Sequence, residues 1–132
     1  MMHSDLYTYL IGTPAIANLF PGGIHHESLP QDVAIWPAMS FFQISRTEVF
    51  EDMEAPNDVK LDEVQYQFDI VSESSQATLD AANTFLSIFR NFRGTMSATR
   101  VQHIRLANES HLEERRGDKL RRRVSLDFSI IF

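Results

Sequence analysis

The chain has no cysteine, which excludes disulfides, thiolate zinc sites, iron-sulfur ligation and thiol nucleophiles together. No apolar run approaches the roughly 18 residues needed to span a bilayer. The N-terminus also lacks the basic start and apolar stretch of a signal peptide. These absences predict a soluble protein, cytoplasmic at synthesis, with no membrane partner. Proline and glycine are sparse, five of each, and they concentrate between Thr13 and Pro37, where Pro14, Pro21, Gly22, Gly23, Pro30 and Pro37 exclude long regular structure. Only a short strand near Ile24 to Glu27 fits there. Basic charge is scarce in the first half: residues 1–64 hold ten carboxylates against Arg46 and Lys60, a net of -8. Residues 65–132 hold ten basic and eight acidic residues, a net of +2, and six of the ten lie between Arg115 and Arg123. The total of -6 argues against general nucleic-acid binding, which needs clustered Lys and Arg on phosphate.

What is present is an ordinary globular composition, 43% hydrophobic and 23% charged in 132 residues. That suffices for one domain over 1–132 with one core. Residues 2–11 place Leu6, Leu10 and the rings of Tyr7 and Tyr9 in a short helix that Gly12 and Pro14 end. A run rich in β-branched and aromatic residues, Met39 to Phe50, predicts a strand. The acidic segment 51–58, broken by Pro56 and Asn57, predicts a solvated loop between antiparallel strands. In the next strand Val64, Tyr66, Phe68 and Ile70 alternate with Gln65, Gln67 and Asp69, so one face meets a core. Ser72 or Ser74 caps a helix over about Ser75 to Phe89, whose Thr78, Ala82, Phe85, Leu86 and Phe89 share a face. Two strands follow, Arg100 to Leu112 and Leu120 to Phe132, joined by 113–119. In the last, Val124, Leu126, Phe128 and Ile130 oppose Arg123, Ser125, Asp127 and Ser129. The expected fold is α+β: an antiparallel sheet of about four to five strands, two main helices packed on one face, and long β-hairpins.

Enzyme chemistry finds no constellation to carry it. His3, His25, His26, His103 and His111 show neither paired helical spacing nor a carboxylate at ligand distance. His25 and His26, adjacent in a strand, point to opposite faces. There is no Gly-x-Ser-x-Gly elbow, and Gly22-Gly23 is not a phosphate loop. Asp62-Glu63 and Glu113-Glu114 diverge on strands rather than converging on a substrate. We expect no catalytic, cofactor or metal site. Trp36 reads as a packed loop anchor or an interface hot spot.

Several stretches resemble one family. The early Tyr-Leu helix precedes Phe20-Pro-Gly-Gly-Ile24, and Leu29-Pro-Gln and Trp36-Pro-Ala precede the first long strand. Then come Gln67-Phe-Asp-Ile70, Phe92-Arg-Gly-Thr95, Val101-Gln-His-Ile-Arg105 and Arg122-Arg-Val-Ser-Leu-Asp-Phe128. Over nearly the whole chain this resembles the tail-completion and tail-terminator proteins of long-tailed bacteriophages and gene-transfer particles. The resemblance implies a virion protein, assembled in the host cytoplasm, that forms a homo-oligomeric ring, commonly of six subunits, at the head-proximal end of the tail. It implies as partners the tail tube protein and the neck or connector protein, with genome DNA passing through the channel without specific binding. A head-side connector or neck subunit, or a cellular dimeric α+β binding module or small enzyme, are the alternatives.

A cyclic ring needs two different surfaces that meet. The candidates are the charged hairpin tips: Glu48, Glu51, Asp52, Glu54 and Asp58 on one, and Arg115, Arg116, Arg121, Arg122 and Arg123 on the other. Solvated hairpin tips with no partner are the plain alternative.

Overall fold

The computed structural model describes residues 2–27, 29, 35–50, 60–97, 99–116 and 119–132. Helix α1 (Met2–Gly12) and the short α2 (Pro14–Ala17) are followed by strands β1 (Ile24–His26), β2 (Ala38–Phe50) and β3 (Lys60–Ser72). Helix α3 (Ser75–Phe89) precedes β4 (Gly94–Met96), β5 (Thr99–Val101), β6 (His103–Arg116) and β7 (Lys119–Ile131). The main sheet has five strands in the order β1-β2-β3-β7-β6, and β4 pairs β5 in a separate two-stranded ribbon. Only β1 runs parallel to its neighbour; β2, β3, β7 and β6 are antiparallel. This is the α+β arrangement that the alternation of Val64 to Ile70 and Val124 to Ile130 demands.

The period of two sorts each central strand. Val64, Tyr66, Phe68 and Ile70 of β3, with Val124, Leu126, Phe128 and Ile130 of β7, are all buried in one cluster. Helix α3 lays Ala81, Ala82, Phe85 and Phe89 on that face. Phe68 is central: its ring centroid lies 5.2 Å from Phe85, 5.2 Å from Phe89 and 5.6 Å from Phe128. Each fully buried ring of this kind contributes about 1.5–3 kcal/mol. The helix starts where its caps permit. Ser74 Oγ accepts from the Ala77 N–H at 3.3 Å, and Ser72 Oγ accepts from the Ser74 N–H. Helix α1 joins the same layer through Leu6 and Leu10, through Tyr7 against Phe41 and through Tyr9 against Phe89. The Thr99 hydroxyl donates to the Asp5 carboxylate and ties α1 to the β4–β5 ribbon.

Helices α1 and α3 thus cover one face, and among the described residues no helix lies on the other. Two quotations from the sequence, Phe20-Pro-Gly-Gly-Ile24 and Trp36-Pro-Ala, meet in space. The Gly22 N–H donates to the Pro37 carbonyl at 3.0 Å, and the Met39 N–H donates to the Gly23 carbonyl at 3.0 Å. These two bonds start the parallel pairing of Ile24 with Met39.

Three expectations need correction. The segment 113–119 is not a loop up to Lys119: β6 runs through Glu113, Glu114, Arg115 and Arg116, and β7 begins at Lys119. Cross-strand charge explains it, because Glu113 faces Arg122 and Glu114 lies beside Arg123, and opposite charges across a ladder favour pairing. The strand expected from Arg100 is split at Gln102, whose N–H donates to the Ile131 carbonyl, leaving β5 to pair with β4. Between Thr13 and Pro37 the short strand expected near Ile24 to Glu27 is joined by a second element, since Pro14 at the first position starts the single turn of α2.

Candidate assembly surface

Register fixes where the two charged hairpins lie. Strand β3 leaves the β2–β3 hairpin at Phe50↔Lys60 and pairs with β7 from Glu63↔Ile131 to Ser72↔Arg122. Strands β6 and β7 continue past that last pair to Arg116↔Lys119. The two hairpins therefore project from opposite ends of the sheet. Lys60 to Ser72 is twelve steps and Arg122 to Lys119 three more, so at about 3.3 Å per residue the two ends are about 50 Å apart.

At the first end the sequence places seven carboxylates and one lysine between residues 48 and 63. Glu51, Asp52, Glu54 and Asp58 lie outside the described residues, and Glu48 is placed in the backbone of β2. At this end Arg46 bonds the Asp62 carboxylate at 2.5 Å.

At the second end the basic residues divide. Arg122 reaches Glu113 Oε1 at 3.4 Å, and Arg123 reaches Glu114 Oε1 at 3.1 Å and Asp69 Oδ2 at 3.7 Å. Such half-exposed pairs stabilise by about 0–1 kcal/mol each, but they neutralise part of the basic run locally. Arg121 differs: its guanidinium sits 4.8 Å above the Trp36 ring, and among the described residues it forms no ion pair. Arg115 is exposed on β6, and Arg116 is placed in the backbone of that strand. The structure thus brings Trp36 and Arg121 together, which sequence reading left apart. Eighty-five positions separate them, and only the sheet order could have revealed the pairing.

The face without helices is polar and largely closed. Asp69 accepts from the Ser125 hydroxyl at 2.6 Å and from Gln67 Nε2 at 2.9 Å, while the Ser129 hydroxyl donates to Glu63. Ser40, Asp69, Ser125 and Ser129 are all buried there. Burial raises the Asp127 carboxyl above its ordinary range; a bond to Asn108 opposes this and Asp69 adds to it.

Bulges at Ile44 in β2 and Ala107 in β6 shift the register by one residue. Past the second bulge Leu112 pairs with Arg123, so an apolar side chain stands on the polar face, 55% exposed.

Among the described residues no group of His, Asp and Glu could hold a metal ion. His25 Nε2 meets the Gly22 carbonyl at 3.1 Å and the His26 ring packs beside Phe41, so the two do point apart. A 130 Å³ depression beside α3 includes His111 and Arg122, but Glu109 engages the first and Glu113 the second. No helix among the described residues is long and apolar enough to cross a membrane.

What the described residues present at the two ends of the sheet is charged and apolar surface. No family model matches the chain, and no curated protein matches it by sequence. Its fold does match a solved structure. A chain of the virion of a native gene transfer agent particle superposes with a TM-score of 0.54 at 12% identity, covering 98% of this chain and 89% of that one. A second solved chain aligns over 99% of this chain and 91% of its own, at 10% identity and a TM-score of 0.40.

Proposed function

We infer that the protein is a structural subunit of a phage or gene-transfer-agent virion that forms a ring at the head-proximal end of the tail, ends tube polymerisation and joins the tail to the neck. The observation that carries this reading is the end-to-end likeness of the fold to a virion chain of a gene transfer agent particle. The resemblance of the sequence to tail-completion and tail-terminator proteins points the same way. The role is one of assembly, not catalysis. Opposed hairpins suit a subunit that touches different neighbours at its two ends. DNA crosses the ring without specific contacts, in keeping with a net charge of -6.

The test is negative-stain imaging of particles assembled without the protein. Tails of uncontrolled length, or finished tails that fail to join filled heads, are the expected result. Normal particles would overturn the reading, and tails of normal length lying beside heads that have lost their DNA would assign the chain to the neck instead.

A further inference from the structure

Strand β6 is the last strand of the main sheet, and among the described residues no strand pairs with its outer side. After the register shift at Ala107 its ladder with β7 is regular over nine residues, from Asn108↔Asp127 to Arg116↔Lys119. An open edge of that length is a template for another strand. Glu109, Ser110, His111, Leu112, Glu113 and Arg115 are all exposed along it. Open edges are commonly guarded by charge or by proline. This one has no proline, and its charges are of both signs, in an order that complements itself when reversed.

Two copies related by a two-fold axis through the sheet would pair these edges antiparallel. Pairing the regular stretch in full sets its midpoint, Leu112, against Leu112 of the second copy. Outward from there His111 faces Glu113, Ser110 faces Glu114, Glu109 faces Arg115 and position 108 faces position 116, each twice. No like charges meet directly. Leu112, 55% exposed in the single chain, becomes the apolar centre. Arg115, which forms no ion pair among the described residues, gains the Glu109 carboxylate, whose partner in its own chain is His111. Register excludes the neighbouring alignments. Side chains alternate with a period of two, so a slip moves by two residues. One slip sets Glu109 against Glu113 and the other sets Glu113 against itself, and like charges directly opposed destabilise a ladder.

We propose that the free chain pairs with a second copy of itself through β6, residues 108–116 against 108–116, with Leu112 on the two-fold axis. The two main sheets then become one sheet of ten strands, five from each copy. About eight to ten backbone hydrogen bonds cross the contact. An isologous contact closes after two copies, so it is distinct from the head-to-tail contact that a ring needs and does not rest on the ring reading. It covers the open edge of the subunit while it stands free of its other partners.

The chain has no cysteine, so an introduced thiol reports its own position. Sedimentation of the purified wild-type chain at micromolar concentration should show a dimer. Leu112→Cys places two thiols across the axis and should give a disulfide-linked dimer on mild oxidation. Asn108→Cys, four positions away on the same face, meets position 116 instead and should trap several-fold less. Both side chains are exposed, and circular dichroism checks that the variants fold. Glu109→Arg sets arginine against Arg115 twice and should weaken dimerisation about tenfold or more. Adding Arg115→Glu to the same chain reverses both pairs and should restore the dimer. A wild-type monomer, or an oligomer of any size in which Leu112→Cys traps no more than Asn108→Cys, overturns the contact and leaves the ring reading as it was. A folded double variant that stays dissociated overturns it as well.

Discussion

The Ser125 hydroxyl donates to the Asp69 carboxylate at 2.6 Å, joining the two central strands on the face opposite α1 and α3. Asp69 also accepts from Gln67 and faces Arg123 at 3.7 Å, so one buried carboxylate satisfies three neighbours. Truncating it leaves a buried hydroxyl and a guanidinium short of an acceptor. Asp69→Ala should cost about 2–4 kcal/mol, read as a lower urea midpoint with unchanged slope. Asp69→Asn keeps a carbonyl acceptor for Ser125 and Gln67 but loses the charge and turns an amide donor toward Arg123, so it should fall between Asp69→Ala and wild type. Equal stability of Asp69→Ala and wild type would remove this network from the account of the fold.

Much of this was legible in sequence, and the reason is periodicity. The boundaries of α3 follow from Ser74 as cap and the three- and four-residue spacing to Phe89, and the core faces of β3 and β7 follow from strict alternation. The burial of Ser125 and Ser129 did not follow. Alternation says which face a residue takes, not whether that face is shielded, and serines read as solvent-facing until their long-range partners Asp69 and Glu63 are known. The β4–β5 ribbon was missed because three-residue strands carry no periodicity. The Trp36–Arg121 stack was missed because it depends on β7 lying beside β3, a tertiary fact. Hairpin direction likewise emerges only from register.

Gly22 has no room for a side chain. A Cβ there would lie 2.1 Å from the Ile35 carbonyl oxygen and 2.8 Å from the Ala38 Cβ, and backbone cannot step aside as a flexible side chain can. Gly22→Ala should therefore push the Phe20–Ile24 stretch away from Trp36–Ala38 and cost about 1–3 kcal/mol. Gly12→Ala is the control: nothing lies within 4 Å of its Cβ, and at a helical position alanine should gain about 0.5–1 kcal/mol. Thermal unfolding of the two variants should move in opposite directions. Movement in the same direction would mean that the close approach at Gly22 does not decide its identity.

Tyr66 buries its ring in the core and leaves its hydroxyl oxygen without a hydrogen-bond partner among the described residues. Burial pushes the phenol up to about 12, with the positive charge of Arg46 opposing the shift. A pKa raised on folding means stability that is fully present below the ordinary value of 10 and is lost as pH rises from 10 through about 12. Tyr66→Phe should be neutral or slightly stabilising at pH 7, against the usual loss of about 1 kcal/mol for removing a bonded hydroxyl. It should also hold its melting temperature between pH 10 and pH 12 better than wild type. A Phe variant that melts several degrees lower at pH 7 would show that the hydroxyl has a partner.

Asp127 lies on the same face as Asp69, and one of its carboxylate oxygens is buried without a hydrogen bond. Its pKa is raised, first by burial and then by the neighbouring charge of Asp69, with the Asn108 bond opposing. Raised on folding, the group favours the folded state below the ordinary carboxylate range, and that contribution is lost as pH rises through its folded value. At neutral pH the charged form is therefore a liability, and an uncharged side chain of the same shape removes it. Asp127→Asn should raise the urea midpoint at pH 7 and leave it nearly unchanged at pH 3, where wild type is already protonated. The difference between variant and wild type should grow through the carboxylate titration range. A variant less stable than wild type at pH 7 would mean that the Asp127 charge is engaged by a cation, and the polar face would need a different electrostatic account.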